Sequence, residues 1–286
     1  MTVVVVGAGI AGLACARELA DAGIGVRVLE RSAVPGGRLA SEWRTGRPVD
    51  VGAAYLTADD PAFRGRLQSW RIDGLSRPWT DTFRGQRGTA PMRWAAPGGL
   101  RSLAADLATG LDVTFGAEVT EPPAAADAVV LAMPGPQALR IADLPAARAQ
   151  RWRPVLTAVL TYPERTWPDF AGAFVNDHLV LATVCDDGDR RGDRAPVLVA
   201  HSTPEAADSS GPVMAEAVGQ LLGITAEPAV ELIRWPYAQP QSQPGAFALD
   251  GNVYLCGDAF GRPRVQTAWL SGRAVARDII GRQRSD

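Results

Sequence analysis

The first thirty residues leave this chain few folds to choose from. Thr2–Val6 is a short valine run, followed at once by Gly7-Ala8-Gly9-Ile10-Ala11-Gly12. Leu13 to Ala22 then places apolar residues at helical spacing, with Arg17, Glu18 and Asp21 polar, and Gly23 stands where a helix stops. Val26 to Leu29 is a second apolar run, closed by Glu30. Strand, GxGxxG turn, helix, strand and terminal acid together form the pattern of a dinucleotide-binding unit. Gly7 suits the tight turn, Gly9 the approach of a pyrophosphate, and Gly12 the close packing of helix on strand. The helix N-terminus offers free N–H groups and a partial positive charge to that anion. Glu30 is placed to accept from a ribose 2′-hydroxyl, which argues against a 2′-phosphate. By itself the pattern leaves NAD and FAD both open.

Later segments decide between them. Glu30-Arg31 runs on to Val34-Pro35-Gly36-Gly37-Arg38, and Val49-Asp50-Val51-Gly52-Ala53-Ala54-Tyr55 follows. Near the far end stand Asn252-Val253-Tyr254-Leu255-Cys256-Gly257-Asp258 and Pro263-Arg264-Val265-Gln266-Thr267-Ala268-Trp269-Leu270-Ser271-Gly272. Together these resemble the FAD-dependent amine-oxidase superfamily, and within it the bacterial renalase-like NAD(P)H-isomer oxidases. The resemblance implies non-covalent FAD. It puts the backbone of Ala11, with Gly7, Gly9 and Gly12, at the diphosphate, Glu30 and Arg31 at the strand end, and Gly37 and Arg38 at the diphosphate. Val119 falls beside the adenine, Gly52, Ala53, Ala54 and Tyr55 beside the isoalloxazine, and Gly257 and Asp258 at the ribityl chain. Val265, Gln266 and Thr267 open a helix toward the flavin N1/C2=O region. Gln266-Thr267 replaces the Glu-Gly common in relatives, and Thr267 adds a Cβ where close approach is wanted. On this reading Glu30→Ala weakens FAD binding and leaves the fold unchanged.

The fold class expected is α/β: a Rossmann-type FAD-binding domain with an inserted antiparallel-sheet α+β substrate domain. The first comprises residues 1–75, 96–150 and 238–286, the second 76–95 and 151–237. Pro61 to Trp70 reads as a helix, and Arg77 to Trp94 as short strands rich in arginine and aromatics. Leu100 to Ala108 reads as a helix, with strands over Leu111 to Phe115 and Asp127 to Met133. Relatives carry a strand hairpin between those two strands; here only Glu121 to Ala126 remains. Strands follow at Val155 to Tyr162, Ala173 to Asn176, Leu179 to Cys185, Pro196 to His201 and Val230 to Tyr237. Turn signals such as Asp186-Asp187-Gly188-Asp189 separate them, and Met214 to Leu222 is helical. Trp235 and Tyr237, like Tyr55, are candidate cavity walls or packing residues.

Composition closes off other classes. A net charge of −2 leaves no nucleic-acid footprint. No apolar run reaches the roughly 18 residues of a membrane span, and the apolar N-terminus lacks the basic flank of a signal peptide, so a cytoplasmic protein is expected. Cys15, Cys185 and Cys256 show no metal or redox spacing and read as buried thiols. His178 and His201 are too few for a metal site, and neither lies near a flavin motif in sequence. All 29 basic residues are arginine. Many superfamily amine oxidases hold a water near flavin N5 with a lysine, so that device is missing, which counts against a polyamine or amino-acid oxidase. The resemblance therefore implies hydride transfer to flavin N5 from a small donor, foremost the 2- or 6-dihydro isomers of NAD(P)H, with O2 as acceptor and H2O2 as product. Arg64, Arg84, Arg93 and Arg234 are available for the donor's phosphates. A different small substrate, such as an amine or a biosynthetic intermediate, and a non-catalytic flavin-binding protein remain the alternatives.

Overall fold

A valine run that ends at a turn glycine and is buried on both faces suits the middle of a parallel sheet, and that is where Thr2–Val6 lies. The computed structural model describes residues 1–86, 88 and 90–284. In chain order the elements begin β1 (Thr2–Val6), α1 (Ile10–Asp21), β2 (Gly25–Glu30), β3 (Ser41–Arg44), β4 (Arg47–Asp50), α2 (Pro61–Ile72), β5 (Arg77–Thr80), β6 (Arg93–Ala95) and α3 (Arg101–Ala108). They continue with β7 (Asp112–Phe115), β8 (Ala128–Leu131), α4 (Gly135–Ala138), α5 (Pro145–Ala149), β9 (Trp152–Thr161), β10 (Gly172–Phe174), β11 (Leu181–Asp186) and α6 (Asp187–Arg191). Then come β12 (Val197–Ser202), α7 (Gly211–Leu222), β13 (Ala229–Pro240), β14 (Ala248–Asp250), β15 (Val253–Leu255) and α8 (Val265–Gln283).

Two compact units result. The first takes Met1–Leu39, Arg101–Arg151 and the chain from Pro240 onward; the second takes Ala40–Leu100 and Trp152–Gln239. The sequence division put residues 40–75 and 96–100 with the first unit. They cluster with the second because Val49 and Val51 pack against Val159, Val197 and Val199 of its sheet, an attachment that no local pattern encodes.

The first unit carries a six-stranded sheet in the order β14-β15-β8-β1-β2-β7. β1 pairs in parallel with β2 and β8, β2 with β7 and β15 with β8, while β14 runs antiparallel at the edge. Helices α1 and α8 cross closely because Gly272 has no side chain: a Cβ there would lie 1.9 Å from the Ala11 carbonyl oxygen. Arg273 and Arg277 both reach Glu18 across that crossing. Between β7 and β8, residues 117–127 contain no strand among the described residues, in line with a shortened connection, and Val119 packs on the Val4, Val6 and Leu131 core.

The second unit carries a five-stranded sheet, β10-β11-β12-β9-β13, with antiparallel pairing along β10-β11-β12-β9. The two-residue period of a strand sorts its side chains. Leu156, Ala158, Leu160, Leu198 and Ala200 pack with Met214 and Val218 of α7. Val159, Val197, Val199, Ile233 and Trp235 line the other face, against Ala40, Val49 and Val51. The hairpin β3–β4 turns through Thr45 (φ 45°) and Gly46 (φ 79°), the positive pair that two-residue hairpins need.

One expected turn is a helix. Asp186-Asp187-Gly188-Asp189 reads as a turn signal, yet Asp187–Arg191 forms α6, and Asp187, Arg190 and Arg191 are buried. Asp186 caps it by accepting from the Asp189 N–H at 2.9 Å. Gly188 is required because a Cβ would stand 2.3 Å from the Ala195 carbonyl oxygen. All three cysteines are buried free thiols; burial pushes the Cys256 thiol up to about 12.

Candidate functional site

The first unit builds an anion cradle at the β1–α1 turn. Gly7 sits at φ +107°, its N–H donating to the Leu29 carbonyl at 2.8 Å. Gly12 lies so close beneath it that a Cβ would come within 2.0 Å of the Gly7 carbonyl oxygen. A Cβ on Gly9, by contrast, would meet nothing within 4 Å. Gly9 is the N-cap of α1, whose first turn holds no acid, and the first helical bond runs from the Leu13 N–H to the Gly9 carbonyl. The N–H groups of Ile10, Ala11 and Gly12 therefore precede that bond and face outward at the positive end of the helix. The 36–37 turn lies alongside, its Gly36 N–H bonded to the Ala8 carbonyl at 2.9 Å. Arg101, which the sequence reading missed, seats that turn by donating to the Pro35 carbonyl at 3.3 Å.

Glu30 is buried at the end of β2 and does more than wait for a ribose. Its Oε2 accepts from the Ala8 N–H at 2.7 Å and its Oε1 from the Ser32 N–H at 2.8 Å. It is thus a tie between the glycine turn and the strand end, so its loss reaches the fold as well as the ligand. Each carboxylate oxygen keeps a further lone pair for a ribose hydroxyl. Arg31 beside it is exposed.

Arg38 and Asp258, expected at separate parts of the cofactor, form one fork. Arg38 Nη1 donates to Asp258 Oδ2 at 2.8 Å and Nη2 to Oδ1 at 2.6 Å. Bidentate geometry of this kind orients both groups. Gly257, at φ +151°, is pinned by its N–H to Ser271 Oγ at 3.0 Å, and Ser271 donates in turn to the Ala246 carbonyl at 2.6 Å. At the start of α8 the Thr267 hydroxyl turns back to the Arg262 carbonyl at 2.6 Å, and Gln266 is buried. Thr267 therefore spends its polar atom on the preceding loop.

The second unit holds the 50–55 segment in place through its carbonyls. Arg190 donates to the Asp50 carbonyl at 3.3 Å and to that of Ala54 at 2.7 Å. Thr157 and Trp235 donate to the Val51 carbonyl at 2.9 and 3.0 Å. His201 Nε2 meets the Gly52 carbonyl at 3.1 Å, and its Nδ1 meets the Thr183 hydroxyl at 3.0 Å. A carbonyl can only accept, so Nε2 carries the hydrogen and Nδ1 accepts from Thr183. Burial first, then the Arg190 guanidinium, push this histidine down to about 4 against the opposing pull of the Gly52 bond. The ring is neutral near pH 7. Far from that segment in sequence, His201 is carried to Gly52 by β12 across 149 positions. His178 stays local, its Nδ1 accepting from the Val180 and Leu181 N–H groups at 3.0 Å.

An ionic cluster backs this segment. Arg191 pairs with Asp50 at 2.8 Å, Arg47 with Asp187 at 2.6 Å, and Arg190 with Asp187. Burial works to raise the Asp187 carboxyl, but Arg190, Arg191 and Arg47 outweigh it and hold it below the usual carboxylate range. Asp50 also accepts from the Leu100 N–H at 2.8 Å and from Ser41. Trp235 and Tyr237 are half-buried on β13; Trp235 packs with the valine face and its indole N–H serves the loop. Tyr55 meets Phe83 edge-on at 5.5 Å, and the buried Arg93 guanidinium lies over the rings of Phe83, Tyr55 and Phe174 at 4.2, 5.1 and 5.4 Å. Of the other arginines expected to meet phosphates, Arg64 and Arg84 are exposed, and Arg234 is paired with Asp208 at 2.8 Å.

Comparison with known proteins gives the family and the fold. The family profile for a NAD(P)-binding Rossmann-like domain matches residues 5–70, and that for flavin containing amine oxidoreductase matches residues 70–280. Polyamine oxidase 4 of Oryza sativa subsp. japonica is 44% identical over 55 residues, 19% of this chain and 11% of that protein. Phytoene dehydrogenase of Streptomyces griseus is 52% identical over 58 residues, 20% of this chain and 11% of that protein. These matches span about a tenth of each relative's own length. A crystal structure from Exiguobacterium sp. 255-15, provisionally named a protoporphyrinogen oxidase, superposes with a TM-score of 0.79 at 14% identity, covering 97% of this chain and 98% of that one. Putrescine oxidase bound to putrescine gives 0.69 at 16% identity, covering 98% and 99%. At such identities the likeness is one of fold. No helix among the described residues is long and apolar enough to cross a membrane.

Proposed function

The chain belongs to the flavin-containing amine oxidoreductase family, and from that premise we propose its electron donor: a dihydronicotinamide nucleotide, foremost a 2- or 6-dihydro isomer of NAD(P)H. As an FAD-dependent oxidoreductase it binds its cofactor non-covalently. The cradle fits that group. Gly9 leaves open space where a phosphate must approach, three amides of α1 face it, and Glu30 retains acceptor capacity. We assign Gly7, Gly9, Ala11, Gly12, Gly37 and Arg38 to the diphosphate, and Glu30 and Arg31 to the adenosine ribose end. Val119 is assigned to the adenine, and Gly257 and Asp258 to the ribityl chain. Val265, Gln266 and Thr267, with Gly52, Ala53, Ala54 and Tyr55, are assigned to the isoalloxazine. When bound, FAD supplies the two-electron carrier.

The observation that carries the choice of donor is that, among the described residues, the carboxylate and the imidazole that meet the 50–55 segment, Asp50 and His201, are already committed. Asp50 is held by Arg191, Ser41 and the Leu100 N–H. Both nitrogens of neutral His201 are occupied, and the chain has no lysine. An ammonium substrate must lose a proton before it can give up a hydride; a dihydronicotinamide need not. The net reaction balances as dihydronicotinamide, O2 and one proton giving the aromatic nicotinamide nucleotide and H2O2. Trp235 and Tyr237 offer flat surface for a ring, and stacking must bring the reacting carbon to roughly 3–3.5 Å of its acceptor.

Purified protein should be yellow and should release FAD on acid denaturation; colourless protein that takes up NAD but not FAD would overturn the cofactor assignments. Anaerobic mixing with the 2- and 6-dihydro isomers should bleach the visible flavin band rapidly, and air should restore it with one H2O2 per donor. Rapid bleaching by primary amines with none by the dihydronicotinamides would overturn the donor.

A further inference from the structure

A trans peptide is planar, with its C=O and N–H pointing in opposite directions. Holding a carbonyl therefore aims the next residue's N–H. In the 50–55 segment His201 holds the Gly52 carbonyl at 3.1 Å and Arg190 holds that of Ala54 at 2.7 Å. The Ala53 N–H must then point away from His201, and the Tyr55 N–H away from Arg190. Neither amide has an acceptor among the described residues. Both lie on a stretch that stays half-exposed while Val51 before it and Leu56 after it are buried.

We propose that His201 and Arg190 are positioning residues that turn the Ala53 and Tyr55 amides outward as a pair of hydrogen-bond donors to the electron-rich edge of the isoalloxazine. The proposal rests on the assignment of this segment to the flavin. Gly52 explains why a clamp is needed. Lacking a Cβ, it imposes little barrier to rotation of the peptide that follows, and rotation would present the Gly52 carbonyl in place of the Ala53 N–H. Exchanging a donor for an acceptor would favour the electron-poor, oxidised ring over the electron-rich, reduced one. His201 suits the task because it is held neutral. With Thr183 donating to Nδ1, the Nε2 hydrogen is committed to Gly52. Its position on β12 follows from strand alternation, since Val197, Val199 and His201 share the face that packs toward Val49 and Val51.

The test is the midpoint potential of bound FAD, measured by dye-linked anaerobic reduction, together with the affinity for oxidised FAD. His201→Leu should lower the preference for reduced over oxidised flavin about tenfold, which for a two-electron couple is about 30 mV downward. His201→Gln, whose amide can reach the same carbonyl, should return the potential to the wild-type value. Thr183→Val, which frees the ring to turn, should move it in the same direction as His201→Leu by a smaller step, and this arm stands in if His201→Leu does not fold. A merely structural role would lower yield and melting temperature in all three without moving the potential. Wild-type potentials in folded His201→Leu or Thr183→Val would overturn the proposal alone. Wild-type protein that binds no FAD would overturn the cofactor assignments with it.

Discussion

Replacing Glu30 with alanine separates the two tasks its carboxylate performs. The Ala8 N–H is buried and gives its 2.7 Å bond to Oε2, whereas Ser32 is an exposed residue whose part-buried N–H can turn to water when Oε1 is lost. A hydrogen bond to a charged group is worth about 1.5–3 kcal/mol, and a buried donor left unpaired keeps that cost. The Ala8 bond should therefore account for about 2 kcal/mol of stability in protein stripped of flavin. At roughly 2–4 °C per kcal/mol for a unit of this size, the melting temperature should fall by roughly 4–8 °C. A second loss appears only with FAD present. The ribose loses its acceptor, another 1.5–3 kcal/mol or so, and affinity should fall roughly 10- to 150-fold. Calorimetry or circular dichroism on the stripped protein reads the first loss, and fluorescence titration with FAD the second. A stripped variant that melts with wild type would show that the tie to Ala8 carries no stability. Unchanged FAD affinity would remove Glu30 from the ribose.

The glycines of the turn should part company in the same assays. Gly9→Ala, with open space around its Cβ, should leave stability within about 1 kcal/mol and weaken FAD binding, whereas Gly12→Ala, 2.0 Å from the Gly7 carbonyl oxygen, should damage both. Equal effects at the two positions would contradict the cradle. Arg38→Met and Asp258→Asn should be strongly non-additive in FAD affinity, because each removes the other's bidentate partner; an additive double variant would show that they act separately. His201 has its value depressed from 6.5 to about 4, so the unfolded chain takes up its proton first. Its contribution is complete above pH 6.5 and is lost as pH falls toward 4, and His201→Gln should flatten the melting-temperature profile across that window. An unchanged acid slope would show that the ring is not held neutral.

The β1–α1–β2 unit was legible because everything that specifies it is local. A valine run, three glycines at fixed spacing and an acid at a strand end act over thirty residues, and backbone sterics with helix-end polarity leave them one arrangement. The strands of the second sheet were legible by the same alternation and turn chemistry. What stayed hidden depends on residues that meet only after the chain has closed. Asp186 to Arg191 has the composition of a solvated turn, and it becomes a buried helix only because Asp50 and Arg47, from far earlier in the chain, neutralise its charges. A remote position with no motif of its own, His201, holds Gly52, whereas Gly257 is held by Ser271 from the following helix. Glu30 stands at the end of β2 as its sequence position suggests, yet its hold on Ala8 could be seen only once the turn had folded back over the strand end. Local sequence determined the glycine turn and the strand end beside it. Tertiary structure decided which side chains hold that backbone still, because a hydrogen bond across 149 positions leaves no periodic trace in the chain that makes it.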